Sequence, residues 1–347
     1  MSVSFHMINA ENPPATAGGT DKSVRSLLAA GCRVAGPREY LYLHQYPKVL
    51  NEYKILFMKF GQVENPDEVD FTIPPDHPDT KRILAKSKKQ DFKLYVGCAK
   101  WNKTDLKNFY PKGVKDELGY YASHFNSVEL NATFYKRYWE KQYTAWRDGV
   151  PDGFLFFPKL PQGITHFSRL KDVEEKVDQF AENSAFLKEK LGVPFLQMHN
   201  NFDPKDFERV ESFIEYWKQF DRPIAMEFRK TNWYTDPEIA TRLYGLMESN
   251  GITNVLVDTA GRRDLMHMRL TTPVPFVRWV GANHASDRDR LDEWIARIVK
   301  WKKAGLSELH FFVHQNVEKE SPLLSAYFIE KLNKKIGTKV KVPETLG

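Results

Sequence analysis

The stretch "AMEFRKTNWY", residues 225–234, begins like a buried strand and then places two opposite charges two residues apart. Successive side chains of a strand point to opposite faces, so Glu227 and Arg229 share one face while Met226 and Phe228 share the other. A buried charge without a partner costs several kcal/mol, so these groups must pair or face a wet cavity. The stretch therefore predicts a fold that turns one face of a buried strand toward an internal polar site.

Seven other apolar, β-rich runs lie along the chain around this strand, and amphipathic helical stretches lie between them. The predicted strands start at residues 94, 127, 153, 193, 223, 252, 275 and 308. Eight strands alternating with helices over residues 92–337 match the roughly 250 residues typical of a (β/α)8 barrel. A doubly wound open sheet is the alternative, but no G-x-G-x-x-G motif follows the first strand. We therefore predict an α/β protein, a TIM-type (β/α)8 barrel with an N-terminal extension.

Two predicted helices have ends that the sequence marks clearly. Asp203-Pro204 places a capping residue before a proline suited to the first helical position, and Gly337 ends the last predicted helix. The sixth strand is followed only by a short basic stretch, residues 261–272. The helix after this strand is therefore predicted to be short or missing.

The N-terminal part of the chain differs in character from the predicted barrel. Residues 1–57 are turn-rich and show no sustained helical or strand period, so we predict a flexible leader. The equal alternative is that translation starts at Met58, which would place this leader upstream of the protein. Residues 58–91 contain four prolines, which favour extended and turn conformations, and are predicted to pack on the outside of the barrel. Residues 338–347 are predicted to form a tail.

Composition limits the class of protein and its compartment. The 347 residues are 41% hydrophobic and 28% charged, and 51 Lys and Arg against 45 Asp and Glu give a net charge of +6, which favours acidic ligands. Cys32 and Cys98 are too few for a disulfide framework, so a reducing compartment is the simpler interpretation. No apolar run reaches the roughly 20 residues that span a bilayer, and no secretory signal is present. We predict a cytoplasmic protein without a membrane partner.

Polar residues near the C-terminal ends of the strands are the candidates for an active site, because barrel enzymes place their chemistry there. The structural alternatives are that Asp258 only caps a turn, that His199 only bonds loop backbone, and that Lys159 pairs with Glu129 on the neighbouring strand. A lysine with a lowered pKa can also form a Schiff base. The predicted catalytic residues are Glu227, Asp258, Lys159 and Glu129, and the predicted substrate-binding residues are Arg229, Arg278, Gln197, Asn131, Asn316, His199, His314, Tyr135, Trp101 and Trp233.

Several familiar chemistries lack their motifs in this sequence. There is no G-x-S-x-G, H-E-x-x-H, C-x-x-C or Walker motif. We predict no metal site, because no local ligand spacing supports one and Lys159, Arg229 and Arg278 would repel a cation. The sequence identifies no cofactor.

Eight stretches of the chain together resemble the family called domain of unknown function 72, or YecE-like. They are LYVGCAKWNK, FYPKG, YYASHFNSVELNATFY, GFLFFPKLPQGITH, EFRKTNW, VLVDTAG, FVRWVG and FFVHQNVEKESPLL, in this order across nearly all of residues 92–330. The resemblance implies a TIM-type barrel but no particular reaction. Many members end the last strand with Asn-Asn-His where this chain has His314, Gln315 and Asn316. The shared polar mouth that the resemblance implies comprises Glu129, Asn131, Phe134, Tyr135, Lys159, Gln197, Glu227, Arg229, Trp233, Asp258, Arg278 and Asn316.

The leading functional prediction is an enzyme that acts on a small anionic substrate, such as a phosphorylated sugar or a nucleotide derivative. Glu227 or Asp258 would transfer the proton. The anion would be held by Arg229, Arg278 and Lys159, and the substrate oriented by Gln197, Asn131 and Asn316.

One alternative is a protein that binds or processes nucleic acid with aromatic and basic side chains at the mouth. Another is a non-catalytic module that binds a metabolite. The oligomeric state is not predicted.

Overall fold

Strands and helices alternate along the part of the chain that the computed structural model describes, residues 62–87 and 91–345. The predicted leader, residues 1–57, and the alternative start at Met58 lie outside the described residues. Each of the eight predicted runs contains a strand, and the sixth is divided at Val255. The strands are β1 (Lys93–Cys98), β2 (Ser127–Leu130), β3 (Leu155–Pro158), β4 (Phe195–Gln197), β5 (Ala225–Glu227), β6 (Thr253–Asn254), β7 (Leu256–Thr259), β8 (Phe276–Gly281) and β9 (Glu308–Gln315).

The described α-helices differ widely in length. They are α1 (Thr80–Leu84), α2 (Glu117–Ala122), α3 (Ala132–Tyr135), α4 (Glu140–Asp148), α5 (Glu174–Ser184), α6 (Phe207–Trp217), α7 (Asn232–Thr235), α8 (Pro237–Ser249), α9 (Ser286–Lys303) and α10 (Ser321–Ile336). Only a short 3-10 helix, Ala260–Leu265, directly follows β7, as predicted. None of the described helices combines the length and the apolar character that crossing a membrane requires.

All described strand pairs are parallel, which confirms the α/β class. The strands form three sheets with the orders β1-β9-β8-β7, β2-β3 and β4-β5-β6. The described residues do not form a closed hydrogen-bonded barrel, so the predicted TIM barrel is not confirmed. The gaps have local causes: Pro158 ends β3 and Pro194 precedes β4, and proline lacks the N–H that a strand ladder needs. Two isolated bridges, Phe156 with Leu191 and Lys159 with Phe195, join the chain on the two sides of this gap.

A side chain replaces part of the backbone ladder between β1 and β2. Asn126 Oδ1 accepts a hydrogen bond from the Val96 N–H at 3.0 Å, and its Nδ2 donates to the Leu94 carbonyl at 2.6 Å. The two strands also approach closely at Gly97, where a Cβ atom would lie 2.3 Å from the Ser127 carbonyl oxygen. Glycine at this position therefore allows β1 to lie against β2.

One apolar cluster joins strands of all three sheets. Its buried members include Phe157 of β3, Phe195 of β4, Val257 of β7, Phe276 of β8 and Phe312 of β9. Three other clusters fill the space between the sheets and the helices; the largest packs β1, β8 and β9 against α9 and α10. The inner faces of the strands thus meet one another, while the outer faces meet helices.

The segment before β1 packs on the outer helices. Asp76 Oδ1 accepts hydrogen bonds from Arg297 at 2.7 Å and from the Trp301 indole at 3.0 Å, both on α9. Glu248 on α8 binds Lys86 at 2.7 Å. The described part of the predicted segment 58–91 therefore contacts α8 and α9, whereas its predicted boundaries remain predictions.

Candidate functional site

The candidate site is a group of polar side chains, most of them near or just beyond the C-terminal ends of the strands, which we call the buried polar cluster. Its members come from β2, β4, β5, β8 and β9 and from the residues directly after β3 and β5, so each of the three sheets contributes. Nearly all of the side-chain surface in the cluster is removed from water. The members are Glu129, Lys159, Gln197, Glu227, Arg229, Arg278 and His314.

Arg278 lies at the centre and binds two carboxylates from opposite sides. Its Nε and one terminal nitrogen donate to the two oxygens of Glu129, each at 2.9 Å, and its other terminal nitrogen donates to Glu227 at 2.6 Å. The paired geometry at Glu129 is the strong bidentate form of an arginine–carboxylate contact. Because β8 supplies the arginine and β2 and β5 supply the carboxylates, this triad ties the three sheets together.

Glu129 has every carboxylate oxygen occupied. Besides Arg278, it accepts hydrogen bonds from Asn131 Nδ2 at 2.9 Å and from His314 Nε2 at 3.0 Å, which fixes the Nε2–H tautomer because a carboxylate only accepts. Burial raises the pKa of Glu129, but Arg278 and His314 outweigh it and hold the pKa well below its ordinary value. Glu129 is therefore a fixed negative charge near neutral pH rather than a proton donor.

Glu227 is held in a similar way, and it pairs with Arg229 as predicted. Its Oε1 lies 3.0 Å from Arg229 Nε and accepts from Gln197 Nε2 at 2.8 Å, while Oε2 binds Arg278. Burial raises the pKa of Glu227, but Arg278 and Arg229 together bring it below the ordinary value. Burial also lowers the pKa of Arg229 to about 10. Glu227 is thus ionised at neutral pH and accepts protons weakly.

Lys159 is the least compensated charge of the cluster. Its Nζ donates to the Gln197 amide oxygen at 2.9 Å, lies 4.2 Å from the centre of the Phe134 ring, and forms no ion pair among the described residues. The side chain is only 6% exposed. Burial, reinforced by the charge of Arg278, lowers the pKa of Lys159 to about 7. The amine therefore exists in both protonation states near neutral pH.

Two histidines stand beside the cluster at its outer side. His166 lies on a π-helical turn, Gly163–Phe167, with its ring 4.9 Å from Phe134 and 5.3 Å from His199. Burial and the charge of Lys159 lower the pKa of His166 to about 4. His199 Nδ1 accepts a hydrogen bond from the Asn201 N–H at 3.1 Å, which is the loop-backbone role given above as its alternative.

His166 was not predicted from the sequence. The sequence does contain a signal for it, because the residue lies soon after the third predicted strand, and polar residues near strand ends are the candidates for an active site. π-Helical turns also occur often at functional sites, but no pattern in this sequence predicts a π-helical turn.

The structure places Asp258 outside the buried polar cluster. Its carboxylate accepts from Arg290 and from the Trp294 indole of α9, each at 2.7 Å, and also binds Arg263. The reason is strand alternation: Val257 belongs to the inner apolar cluster, so Asp258 points to the opposite face and the helix layer. Its contacts fit a role in attaching α9, not the catalytic role predicted for it.

The three aromatic residues predicted to bind substrate lie in different environments. Trp233 is fully buried, stacks on Phe202 at 5.6 Å and donates its indole N–H to the Phe202 carbonyl at 2.8 Å, so it belongs to the core. Trp101 is half-buried with its ring against Trp146. Tyr135, in contrast, is 71% exposed beside Phe134.

The two remaining predicted binding residues lie near the cluster. Asn131 donates to the Ala99 carbonyl at 3.2 Å as well as to Glu129. Asn316 follows β9 and is half-buried. Within the described ranges, no three His, Cys, Asp or Glu side chains are arranged to hold a metal ion.

Known proteins resemble this chain in sequence. It is 24% identical over 277 residues to the UPF0759 protein YecE of Escherichia coli, a match that covers 72% of this chain and 98% of YecE. It is 31% identical over 154 residues to the UPF0759 protein YunF of Bacillus subtilis, covering 42% of this chain and 53% of YunF.

Solved structures resemble the fold. A DUF72 family protein from Enterococcus faecalis matches with a TM-score of 0.57 at 20% identity, covering 72% of this chain and 99% of that chain. A DUF72 family protein from Thermotoga maritima matches with a TM-score of 0.57 at 23% identity, covering 70% of this chain and 99% of that chain. Residues 95–346 match the family model described as "Protein of unknown function DUF72". Because this match covers well over half of the chain, the protein belongs to the DUF72 family.

Proposed function

We propose that this protein is an enzyme that uses the buried polar cluster, at one mouth of a TIM-type barrel, to act on a small anionic substrate such as a phosphorylated sugar or nucleotide derivative. The observation that carries the proposal is the charge balance of the cluster. Among the described residues of the cluster, Arg229, Arg278 and protonated Lys159 accompany two carboxylates, and both of these bind arginine. A substrate anion next to Lys159 would complete the balance.

The barrel is part of this proposal. Its support is that side chains from strands of all three sheets share one inner apolar cluster and one ionic triad. Strands that surround a common interior in this way are the arrangement of a TIM-type barrel, whose active sites lie at the C-terminal ends. We also place the reaction in the cytoplasm, which the scarcity of cysteine supports.

Lys159 suits the proton-transfer role better than the carboxylates do. A general base works best when its pKa is close to the working pH, and the pKa of Lys159 is about 7 whereas that of Glu227 is lowered. Gln197 would position the amine, Arg229 would bind the anionic group, and His166 would line the approach. Glu129 and Arg278 would hold the framework of charges in place.

Calorimetry with sulfate tests the charge argument directly. Binding should stabilise the protonated form of Lys159, so sulfate added at pH 8 should draw a proton from the buffer and the measured heat should depend on the ionisation enthalpy of the buffer. Sulfate itself does not titrate in this range. The proton uptake should vanish in Lys159→Gln and persist in Lys112→Gln, which changes an exposed lysine.

Substrate screening then separates catalysis from binding. Ribose 5-phosphate should stabilise the protein against thermal unfolding and free ribose should not, and Arg229→Gln should weaken the stabilisation. Conversion of any stabilising phosphorylated compound supports an enzyme, whereas tight binding without product would favour the non-catalytic module. Absence of stabilisation by every anion tested would refute the proposed function.

Nucleic acid is a second candidate ligand, and a group of exposed aromatic side chains with a basic neighbour supports it. Tyr135, Trp139 and Phe167 are 71%, 58% and 75% exposed, and the guanidinium of Arg137 lies 3.7 Å from the ring centre of Trp139. Exposed rings with basic neighbours are typical of single-strand binding. Fluorescent oligonucleotides should then bind with an affinity that falls steeply with salt. Replacing the three rings with alanine should weaken binding, and unchanged binding would exclude this surface.

A further inference from the structure

We propose that Lys159 is a nucleophile that condenses with the carbonyl group of an anionic aldehyde or ketone to form an imine. This inference rests on the proposed function and narrows its substrate to compounds that carry both a carbonyl group and a carboxylate or phosphate. It gives the buried amine a covalent role in addition to proton transfer.

The hydrogen bonding of Lys159 differs from that of a purely structural buried lysine. A charged lysine is normally buried only when an acid compensates it. Both acids of the cluster bind arginine, and Nζ donates instead to the neutral amide oxygen of Gln197, at 2.9 Å. An amine with a neutral partner is free to lose its proton, and the neutral form is the nucleophile.

The backbone of Lys159 is fixed from both sides, which keeps the side chain directed into the cluster. Its N–H donates to the Leu130 carbonyl at 3.2 Å, and its carbonyl accepts from Thr133 Oγ1 at 2.7 Å. The rings of Phe134 and Phe195, with centres 4.2 and 6.0 Å from Nζ, form an apolar wall that favours the uncharged amine. The position is thus held rigidly in an environment suited to a nucleophile.

The chemistry balances without a further reactant. The lone pair of neutral Nζ attacks the carbonyl carbon, the new C–N bond forms, and the carbonyl electron pair moves to oxygen, which takes up a proton. The resulting carbinolamine loses its hydroxyl group as water after a second protonation, and the nitrogen loses its protons to solvent or to a neighbouring base. The net change is amine plus carbonyl to imine plus water. Arg229, whose charge acts on Lys159, would hold the anionic group of the substrate.

Reductive trapping on the full-length protein tests the imine. Glyoxylate, an aldehyde that carries a carboxylate, is added at low concentration with sodium borohydride, and peptide mass spectrometry locates the carboxymethyl group that remains after reduction. We expect Lys159 to be modified first, with a rate that reaches its plateau just above pH 7. Lys159→Arg should abolish this modification, and the control Lys112→Arg should leave it unchanged.

Gln197→Glu provides a second variant that keeps the lysine. A carboxylate in place of the amide would pair with Nζ and favour its charged form, so the rate of trapping at pH 7 should fall about tenfold for each pKa unit gained. Circular dichroism verifies that the variant is folded. An unchanged rate in folded Gln197→Glu would overturn the inference.

The outcomes separate the imine from the proposed function. Modification spread over exposed lysines while Lys159 stays unmodified refutes the imine, and sulfate binding with proton uptake would then still support the anion site. Specific trapping at Lys159 without any sulfate binding supports the nucleophile and contradicts the anion site. If sulfate suppresses the trapping at Lys159, the result supports both the imine and the anion site.

Discussion

Replacing Lys159 with methionine should raise the free energy of unfolding near pH 7, and this gain should disappear as the pH approaches 10. The unfolded chain releases the lysine proton near its ordinary pKa of 10.5, whereas the folded chain releases it near 7. Between these values the unfolded state binds more protons, so the folded protein gains stability as the pH rises. The buried amine is therefore most costly at and below pH 7.

The two pKa values give the magnitude. At about 1.4 kcal/mol per pKa unit, burial of the amine costs about 4 kcal/mol at pH 7 and about 1 kcal/mol at pH 10. The methionine variant leaves the Gln197 amide oxygen without its donor, which costs about 1–3 kcal/mol at either pH. The variant should thus be more stable than the wild type by about 1–3 kcal/mol at pH 7 and equal or less stable at pH 10.

Urea denaturation at several pH values between 7 and 10, followed by circular dichroism, measures this difference. Lys112→Met is the matched control, because the side chain is exposed and its removal should shift stability equally across the range. A difference between Lys159→Met and wild type that stays constant from pH 7 to 10 would show that the folded protein does not release the Lys159 proton near neutral pH. The general-base and imine roles would then both lose their basis.

Three further substitutions test the framework around the site by urea denaturation. Asp258→Asn should lower the free energy of unfolding by about 3–5 kcal/mol, because it weakens the pairing of buried Arg290, while sulfate binding to the folded variant stays intact. Gly97→Ala should cost about 1–3 kcal/mol or more, since its Cβ would lie 2.3 Å from the Ser127 carbonyl oxygen; a neutral result would contradict the close approach of the two strands. Arg278→Met should cost at least about 3–5 kcal/mol, because both buried carboxylates lose their shared partner, and this loss should shrink at acid pH as the carboxylates become protonated. An Arg278→Met variant with wild-type stability at neutral pH would refute the central role of the triad.

The sequence predicted the secondary structure well where local signals were strong. Asp203 caps the turn that leads into α6, with its carboxylate accepting from the Lys205 N–H at 3.1 Å. Gly337 follows α10 with a φ of 73°, a left-handed conformation that glycine adopts without strain. Glu227 and Arg229 contact each other at 3.0 Å, as the strand period required. These features depend on residues close together in the chain.

Features that depend on distant residues were not predictable in this way. Trp233 is buried because its ring meets Phe202, a partner about thirty positions away, and nothing in the local pattern of a short turn indicates this. Asp258 follows an apolar run whose alternation alone does not say which face turns inward, and the packing of Val257 decides it. The sheet pairing is interrupted between β3 and β4, where only isolated bridges form, and the alternation of apolar and polar residues along a strand does not indicate such an interruption.

The Glu129–Arg278–Glu227 triad also limits how this chain can change through mutation. Loss of any one member leaves a buried charge uncompensated, so each single step carries a large penalty, whereas apolar replacement of a whole buried ion group, here the triad together with Arg229, is often neutral or favourable. The effects of the three positions are therefore strongly non-additive. Single substitutions therefore cannot remove the triad without a large loss of stability, even if a protein that lacks the whole triad would be more stable. The triad can thus persist in a lineage through epistasis alone, without selection for any activity.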